Sequence, residues 1–171
     1  MSDSVLVSYA TRSGSTQEVA EAIAEALREG GLEVDCRPAK AVRNLDGIGA
    51  VVLGAPLYMF HWHRDALNFV SRHSPALKAR PVAIFALGPF HVDEKEFTDA
   101  RATLDKELAK YPWLKPVAVE MFGGKFDPTK LGFPYNLIPA LNKMPPSDVR
   151  DWTAIRDWAN RVATELEPHA A

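Results

Sequence analysis

Hydrophobic positions along the chain fall into two patterns, continuous runs and helically spaced stripes. Continuous apolar runs, typical of strands buried on both faces, occupy residues 5–9, 50–54, 81–87 and 117–122. Residues 32–36 alternate apolar with charged side chains, which predicts an edge strand. Helical spacing predicts helices over residues 15–29, about 62–73, 93–108 and 151–166.

This alternation predicts a doubly wound α/β fold, in which a five-stranded parallel sheet has helices on both faces. Sheets of this class bind ligands beyond the carboxyl ends of their strands, where the strand order reverses. We expect residues 1–171 to form a single domain with a long loop or insert at about 124–148. Two hypotheses describe that segment. It is either a loop with a short helix near 135–142 on the sheet edge, or a lid or docking surface beside the ligand.

Composition narrows the functional classes. The 171 residues carry a net charge of -2, which gives no electrostatic reason to expect a nucleic-acid partner. The one cysteine, Cys36, excludes an internal disulfide and is expected to pack as a small apolar residue. We find no signal-like leader and no apolar run long enough to span a bilayer, so we expect a cytoplasmic protein. Peripheral membrane contact, and the choice between monomer and homodimer, stay open.

A stretch rich in hydroxyl groups joins the first predicted strand to the first predicted helix. It consists of Thr11, Arg12, Ser13, Gly14, Ser15 and Thr16. A helix N-terminus attracts anions because its first N–H groups lack partners, and a glycine lets the backbone approach closely. The stretch lacks both a P-loop lysine and a Gly-x-Gly-x-x-Gly pattern, so it favours a phosphate monoester. The alternative is an ordinary capping box, Ser15-x-x-Glu18. Arg12 either pairs with the phosphate or points into solvent.

In this position the stretch resembles the flavodoxin family, whose pattern is Thr-x-Ser/Thr-Gly-x-Thr. The resemblance implies FMN as the cofactor and a strand order of 2-1-3-4-5. Flavodoxins hold the isoalloxazine ring in the loops after the third and fourth strands. By the same resemblance, the ring-binding residues here are Ala55, Pro56, Leu57, Tyr58, Met59, Leu87, Gly88, Pro89, Phe90 and His91.

Further motifs look like the flavodoxin-type, menaquinone-dependent protoporphyrinogen dehydrogenases. They are Gly54-Ala55, His61-x-His63, Phe69-Val70-x-x-His73, Asp151-Trp152 and Trp158-Ala159. The resemblance covers nearly the whole chain and departs at about 88–115 and 124–148. It implies an FMN-dependent oxidoreductase, which would exchange electrons with a partner protein or with a small-molecule donor or acceptor.

Two other functions remain open. An electron-transfer flavodoxin is disfavoured by the weak net charge, because carriers usually dock through a strongly acidic rim. A flavin-free binding module of the same fold is disfavoured by the intact phosphate-binding pattern. The sequence identifies no catalytic residue, electron donor or electron acceptor.

Aromatic and histidine side chains near the third strand are further candidates. Tyr58 is the better candidate for stacking on the flavin, whereas Phe60 and Trp62 are as well explained by packing. The histidines His61, His63 and His91 raise the question of a metal site, but no further ligand is evident, so we expect no metal. One imidazole could instead hydrogen-bond the flavin or relay a proton, and a surface histidine is the alternative.

Overall fold

Five parallel strands form the main sheet of the computed structural model, which describes residues 3–58 and 60–167. These strands are β1 (Ser4–Tyr9), β2 (Val34–Pro38), β3 (Ile48–Tyr58), β5 (Val82–Leu87) and β6 (Ala118–Phe122). The two-residue strand β4 (His61–Trp62) runs antiparallel to the end of β3. A separate antiparallel pair joins β7 (Lys125–Phe126) to β8 (Ser147–Asp148).

Helices connect the strands and cover the sheet. They are α1 (Ser15–Glu29), α2 (Arg64–Arg72), α3 (Ser74–Lys78), α4 (Glu94–Leu108), α5 (Pro139–Asn142) and α6 (Trp152–Leu166). Short 3-10 turns occupy Ala39–Ala41, Pro128–Lys130 and Tyr135–Leu137. No helix in the described ranges is both long enough and apolar enough to cross a bilayer.

The strand order confirms the predicted topology. The parallel strands lie in the order β2-β1-β3-β5-β6, which is 2-1-3-4-5 when only parallel strands are counted. Successive residues of β3 point into different cores: Val52 packs with α1 and α6, whereas Val51 and Leu53 pack with α2 and α4. The sheet is therefore covered by helices on both faces, as the continuous apolar runs predict.

Side chains form hydrogen bonds with backbone groups at both edges of the sheet. The Arg28 guanidinium donates to the Val34 carbonyl of β2 at 3.0 Å. On β6, Arg101 donates to the Val119 carbonyl at 3.2 Å, and the Met121 N–H donates to the Glu120 carboxylate at 3.1 Å. Backbone groups that are already bonded are poor templates for another strand, so these contacts protect the edges from intermolecular pairing.

One local prediction was wrong. The helix predicted from about residue 62 begins only at Arg64, because Trp62 pairs with Leu57 in the β3–β4 hairpin. The separate helix α3 begins at Ser74, with Pro75 in its first turn. The capping box considered as the alternative at Ser15 does not form. The N-cap of α1 is Gly14, at φ 93°, and no side chain caps the helix.

The residues after β6 form a connected unit, which we call the insert segment (residues 123–150). The Val149 N–H donates to the Gly124 carbonyl at 3.0 Å, so the segment returns to its own starting point. The Gly124 N–H donates to the Pro89 carbonyl at 2.7 Å, which joins the segment to the loop after β5. The helical residues predicted near 135–142 correspond to the turn Tyr135–Leu137 and to α5.

Gly54 lies against the fully buried Phe85 ring, and a Cβ at this position would overlap that ring. We expect Gly54→Ala to destabilise the protein by about 1–3 kcal/mol, because overpacking forces a core side chain out of place. The melting temperature should fall by roughly 2–12 °C. Gly132→Ala is the matched control, since open space surrounds that position. Equal melting temperatures for the two variants would contradict the close packing described here.

Candidate functional site

The loop between β1 and α1 has a conformation defined by its own residues. The Gly14 N–H donates to the Thr11 hydroxyl at 2.9 Å, and Gly14 has the positive φ that favours glycine. The Glu18 N–H donates to the Gly14 carbonyl at 3.2 Å and begins the helical ladder. The N–H groups of residues 15–17 are the first of the helix and precede its hydrogen-bond ladder, so they favour a bound anion.

Thr16 provides the strongest local sign of a ligand. Its side chain is fully buried, and its hydroxyl oxygen has no hydrogen-bond partner among the described residues. An unsatisfied buried polar group costs about 1–3 kcal/mol, so such groups are uncommon without a function. A phosphate oxygen at the N-terminus of α1 would accept a hydrogen bond from this hydroxyl. The loop therefore fits a phosphate group.

The predicted ring loop after β3 is the β3–β4 hairpin. Tyr58 pairs with His61 across it. Phe60, at the turn, has φ 69° and is 83% exposed. The indole N–H of Trp62 donates to the Ala55 carbonyl at 3.0 Å, and both residues are buried. Trp62 is thus a packing residue, and Met59 lies outside the described residues.

The predicted ring loop after β5 is connected to β6 and to α4. The Gly88 N–H donates to the Phe122 carbonyl at 3.2 Å. The Phe90 N–H donates to the Glu96 carboxylate at 2.8 Å, and the His91 ring lies 3.0 Å from the same carboxylate. Asp93 caps α4 by accepting from the Lys95 and Glu96 N–H groups, while the Glu96 side chain bonds to this loop.

Nine of the predicted site residues line one cavity of about 20 Å³, together with Gly124 and Lys125 of the insert segment. The nine are Arg12, Ser13, Ser15, Pro56, Leu57, Tyr58, Leu87, Gly88 and Phe90. Thr11, Gly14 and Thr16 lie in the adjoining phosphate loop. Ala55 and Pro89 are buried, and His91 is exposed. A drug-sized ligand needs about 300–1,000 Å³, so a flavin ring would have to displace some of these side chains.

Arg12 lies between two tyrosine rings. Its guanidinium is 4.8 Å from the Tyr58 ring centre and 4.4 Å from that of Tyr135 in the insert segment. Burial raises the pKa of Tyr58, while the Arg12 charge opposes that rise. Arg12 therefore connects the phosphate loop, the hairpin and the insert segment. Sequence reasoning missed Tyr135, because no local pattern marks it.

Glu107 of α4 binds the backbone of the β3–β4 hairpin. Sequence reasoning also missed this residue. The residue is 4% exposed, and its carboxylate accepts from the Trp62 N–H at 3.2 Å and from Lys110 at 2.7 Å. The His61 ring lies 3.6 Å away. Burial alone would raise the pKa of Glu107, but the hydrogen bonds from Lys110, Trp62 and His61 and the Lys110 charge outweigh it, so the pKa is lowered. An ionised carboxylate thus anchors the hairpin.

Arg150 connects the end of the insert segment to the start of α1. Its nearly buried side chain makes two hydrogen bonds to Asp148, at 2.9 and 2.8 Å, and donates to the Ser15 carbonyl at 3.3 Å. The hydrogen bond from Arg150 lowers the pKa of Asp148, despite the opposing effect of burial. This arginine, 135 residues from Ser15 along the chain, was not predicted.

The three candidate histidines contact different residues. His61 faces Glu107, His91 faces Glu96, and the His63 ring accepts from the Asp65 N–H at 3.0 Å as the N-cap of α2. Burial, with nearby arginine and lysine charges, lowers the pKa of His63. Within residues 3–58 and 60–167, no three histidine, cysteine or carboxylate side chains form a metal-binding group.

Among solved structures, flavodoxins share this fold. Flavodoxin 2 from Bacillus cereus matches with a TM-score of 0.59 and 19% identity, covering 95% of this chain and 99% of that chain. An archaeal flavodoxin also gives 0.59, with 13% identity and coverage of 95% and 98%. The rubredoxin oxygen:oxidoreductase of Desulfovibrio gigas matches at 0.56 with 17% identity. The match covers 95% of this chain but only 36% of the longer enzyme.

Sequence comparison identifies a curated relative of similar length. Protoporphyrinogen IX dehydrogenase [quinone] of Escherichia coli (strain K12) is 24% identical over 169 residues, covering 92% of this chain and 93% of that protein. The family described as Flavodoxin domain matches residues 6–143. This match confirms the resemblance described above, with FMN as the cofactor and redox chemistry as the general function. The chain belongs to the flavodoxin domain family.

Proposed function

We propose that this protein is an FMN-dependent oxidoreductase that exchanges electrons with a quinone-like or porphyrin-like partner. Bound FMN would supply the redox chemistry, and the chain would position it and control access to it. The observation that carries the proposal is the fully buried Thr16 hydroxyl without a partner, at the start of α1. The name of the Escherichia coli relative supports the partner class.

The binding site proposed for FMN divides into two parts. The phosphate would accept hydrogen bonds from the N–H groups at the start of α1 and from the Thr16 hydroxyl. The ring would lie between residues 55–59 and 87–91, with Tyr58 as the stacking side chain. We assign no catalytic residue. The carboxylates of Glu107 and Glu96 hold the two ring loops through backbone N–H groups, so they are positioning residues.

A second cavity suggests where an apolar partner would approach. It has a volume of about 170 Å³ and adjoins both ring loops. Its lining comprises Leu57, Phe60, Gly88, Pro89, Glu96, Asp99, Ala100 and Thr103. Phe60 presents an exposed aromatic surface there, and burying such a side chain contributes about 1.5–3 kcal/mol. Leu57, Phe60, Pro89 and Ala100 give this surface an apolar part that suits a flat apolar molecule, while Glu96 and Asp99 make it unfavourable for an anion.

We also propose that the whole chain acts as one domain in which the insert segment covers the flavin site. Lys125 lines the small cavity, and Tyr135 lies against Arg12 at its rim. Opening this contact would give FMN the room that a cavity of about 20 Å³ lacks. The second candidate function, an electron carrier, would need the same flavin site but no selectivity for apolar acceptors.

Thr16→Val should weaken FMN binding by about ten- to hundredfold, because a hydrogen bond to a charged group contributes about 1.5–3 kcal/mol. Titration of the FMN-free protein, followed by quenching of flavin fluorescence, measures the change. Thr164→Val is the matched control, since the exposed Thr164 hydroxyl only donates to the Arg161 carbonyl on α6. Unchanged affinity in Thr16→Val would place the phosphate elsewhere. A wild-type protein that binds no FMN would instead support a flavin-free module.

Phe60→Ala should slow reoxidation of the reduced holoprotein by a soluble quinone about tenfold, because the variant removes apolar contact area. Stopped-flow absorbance measures the rate. Ferricyanide serves as a hydrophilic acceptor that should react equally well with both proteins. Phe133→Ala removes an equally exposed ring from the insert segment and is the control variant. Equal quinone rates in Phe60→Ala and wild type would favour the carrier function.

Tyr135→Ala should accelerate FMN association about two- to thirtyfold, since a cation–π contact contributes about 0.5–2 kcal/mol. The reason is that Arg12 loses one of its two aromatic partners, so the insert segment opens more often. Stopped-flow fluorescence gives the association rate, and Phe133→Ala again controls for a shortened side chain in the same segment. If association is no faster in Tyr135→Ala, the segment does not control entry.

A further inference from the structure

A third cavity, lined mainly by polar and charged residues, lies at the opposite end of the sheet from the phosphate loop. It has a volume of about 620 Å³ and includes Ile48, the first residue of β3, and Asp3, which precedes β1. The loop before β3, the end of α2, helix α3 and Arg80 form the rest of its wall. Arginines at positions 43, 72 and 80 line it, so we call it the arginine pocket.

The charges in the arginine pocket are not neutralised by ion pairs. Within the described part of the chain, Arg43, Arg72 and Arg80 have no carboxylate within 4.0 Å, whereas Arg37, Arg101 and Arg150 do. Asp3 and Asp46 also line the pocket, so one net positive charge remains. Guanidinium groups near one another repel unless an anion lies between them, and the pocket therefore favours a negatively charged ligand.

Two buried nitrogen atoms of the lining residues point to a ligand independently of the charge. The Arg80 Nη1 and the His73 Nε2 are buried, and neither has a hydrogen-bond partner among the described residues. His73 as a whole is 7% exposed, and its ring packs 4.6 Å from that of Phe69. A charged donor left unsatisfied costs more than the 1–3 kcal/mol of a neutral one, so the Arg80 nitrogen is a strong sign of a missing acceptor.

The chemistry of His73 narrows the class of anion. Burial and the Arg72 charge lower the pKa of His73, so its ring is neutral at neutral pH. With the proton on Nδ1, which we assign as part of this proposal, the unpartnered Nε2 can accept a hydrogen bond. A phosphate that retains one proton can donate to Nε2 and accept from arginines, which sulfate cannot do.

We propose that the arginine pocket binds a small phosphate-bearing anion, with the half-buried Arg80 and the buried His73 as the inner contacts and the exposed Arg43 and Arg72 at the rim. The Arg72 guanidinium donates to the Ala39 carbonyl at 3.3 Å, which restricts its position. Arginine is suited to this role because its planar group presents paired donors to phosphate oxygens. This site is separate from the loop at residues 11–16 and does not depend on the function proposed for that loop.

The test uses FMN-saturated protein, so that the phosphate loop is already filled, and inorganic phosphate as the probe. Isothermal titration at constant ionic strength should give saturable binding with a Kd of about 1 mM or tighter, and weaker binding of sulfate. Arg80→Gln should weaken phosphate binding at least about tenfold, and Arg43→Gln should weaken it less. Arg156→Gln, an exposed arginine on α6, is the matched control and should bind as wild type.

Two results would overturn the proposal. One is the absence of saturable phosphate binding by the FMN-saturated wild type. The other is equal phosphate affinity in wild type, Arg80→Gln and Arg43→Gln, the last of which changes only an exposed side chain. If the protein does not load FMN, FMN-free Thr16→Val replaces it in the titration. Phosphate binding that disappears in Thr16→Val but survives in Arg80→Gln would assign the anion to the phosphate loop instead.

Discussion

The burial of β3 on both faces is the constraint from which the arrangement of the candidate site follows. A strand in this position needs helices on each side, and in such a sheet the loops that follow the strands, where ligands bind, lie at the carboxyl ends. At Gly54, β3 approaches the Phe85 ring so closely that no side chain fits between them. β3 then continues as far as Tyr58, and its last residues leave the core to form the hairpin. The same strand therefore stabilises the core and presents a ring loop.

The sequence was informative where structure is determined locally. The loop at 11–16 was recognisable because a strand, a glycine and a helix follow one another within a few residues, and the parallel order followed from strands alternating with helices. Tyr135, Glu107 and Arg150 were not recognisable, because each contacts residues far away along the chain: Glu107 bonds to a residue 45 positions earlier. Trp62 was misassigned for a related reason. Its spacing fits the stripe of α2, but its backbone pairs with Leu57.

The two ends of the sheet differ in the groups that would bind an anion. At the carboxyl ends, hydroxyl and backbone groups are the predicted phosphate donors, Arg12 lies between two tyrosine rings, and Arg150 is paired with Asp148. At the amino ends, the guanidinium groups of Arg43, Arg72 and Arg80 have no such carboxylate partner within the described residues. A site whose direct donors are hydroxyl and backbone groups depends less on salt than a site built from guanidinium groups, whose charges salt screens. The two ends therefore differ in chemistry although both favour anions.

The Glu107 carboxylate is one of two that bond the predicted ring loops to helix α4. It joins the C-terminal part of α4 to the backbone of Trp62, while Glu96, at the other end of the same helix, holds the loop after β5. The two predicted ring loops are therefore bonded to the two ends of one helix. Any displacement of α4 would move both loops together, so the spacing between them depends on how this helix packs on the sheet.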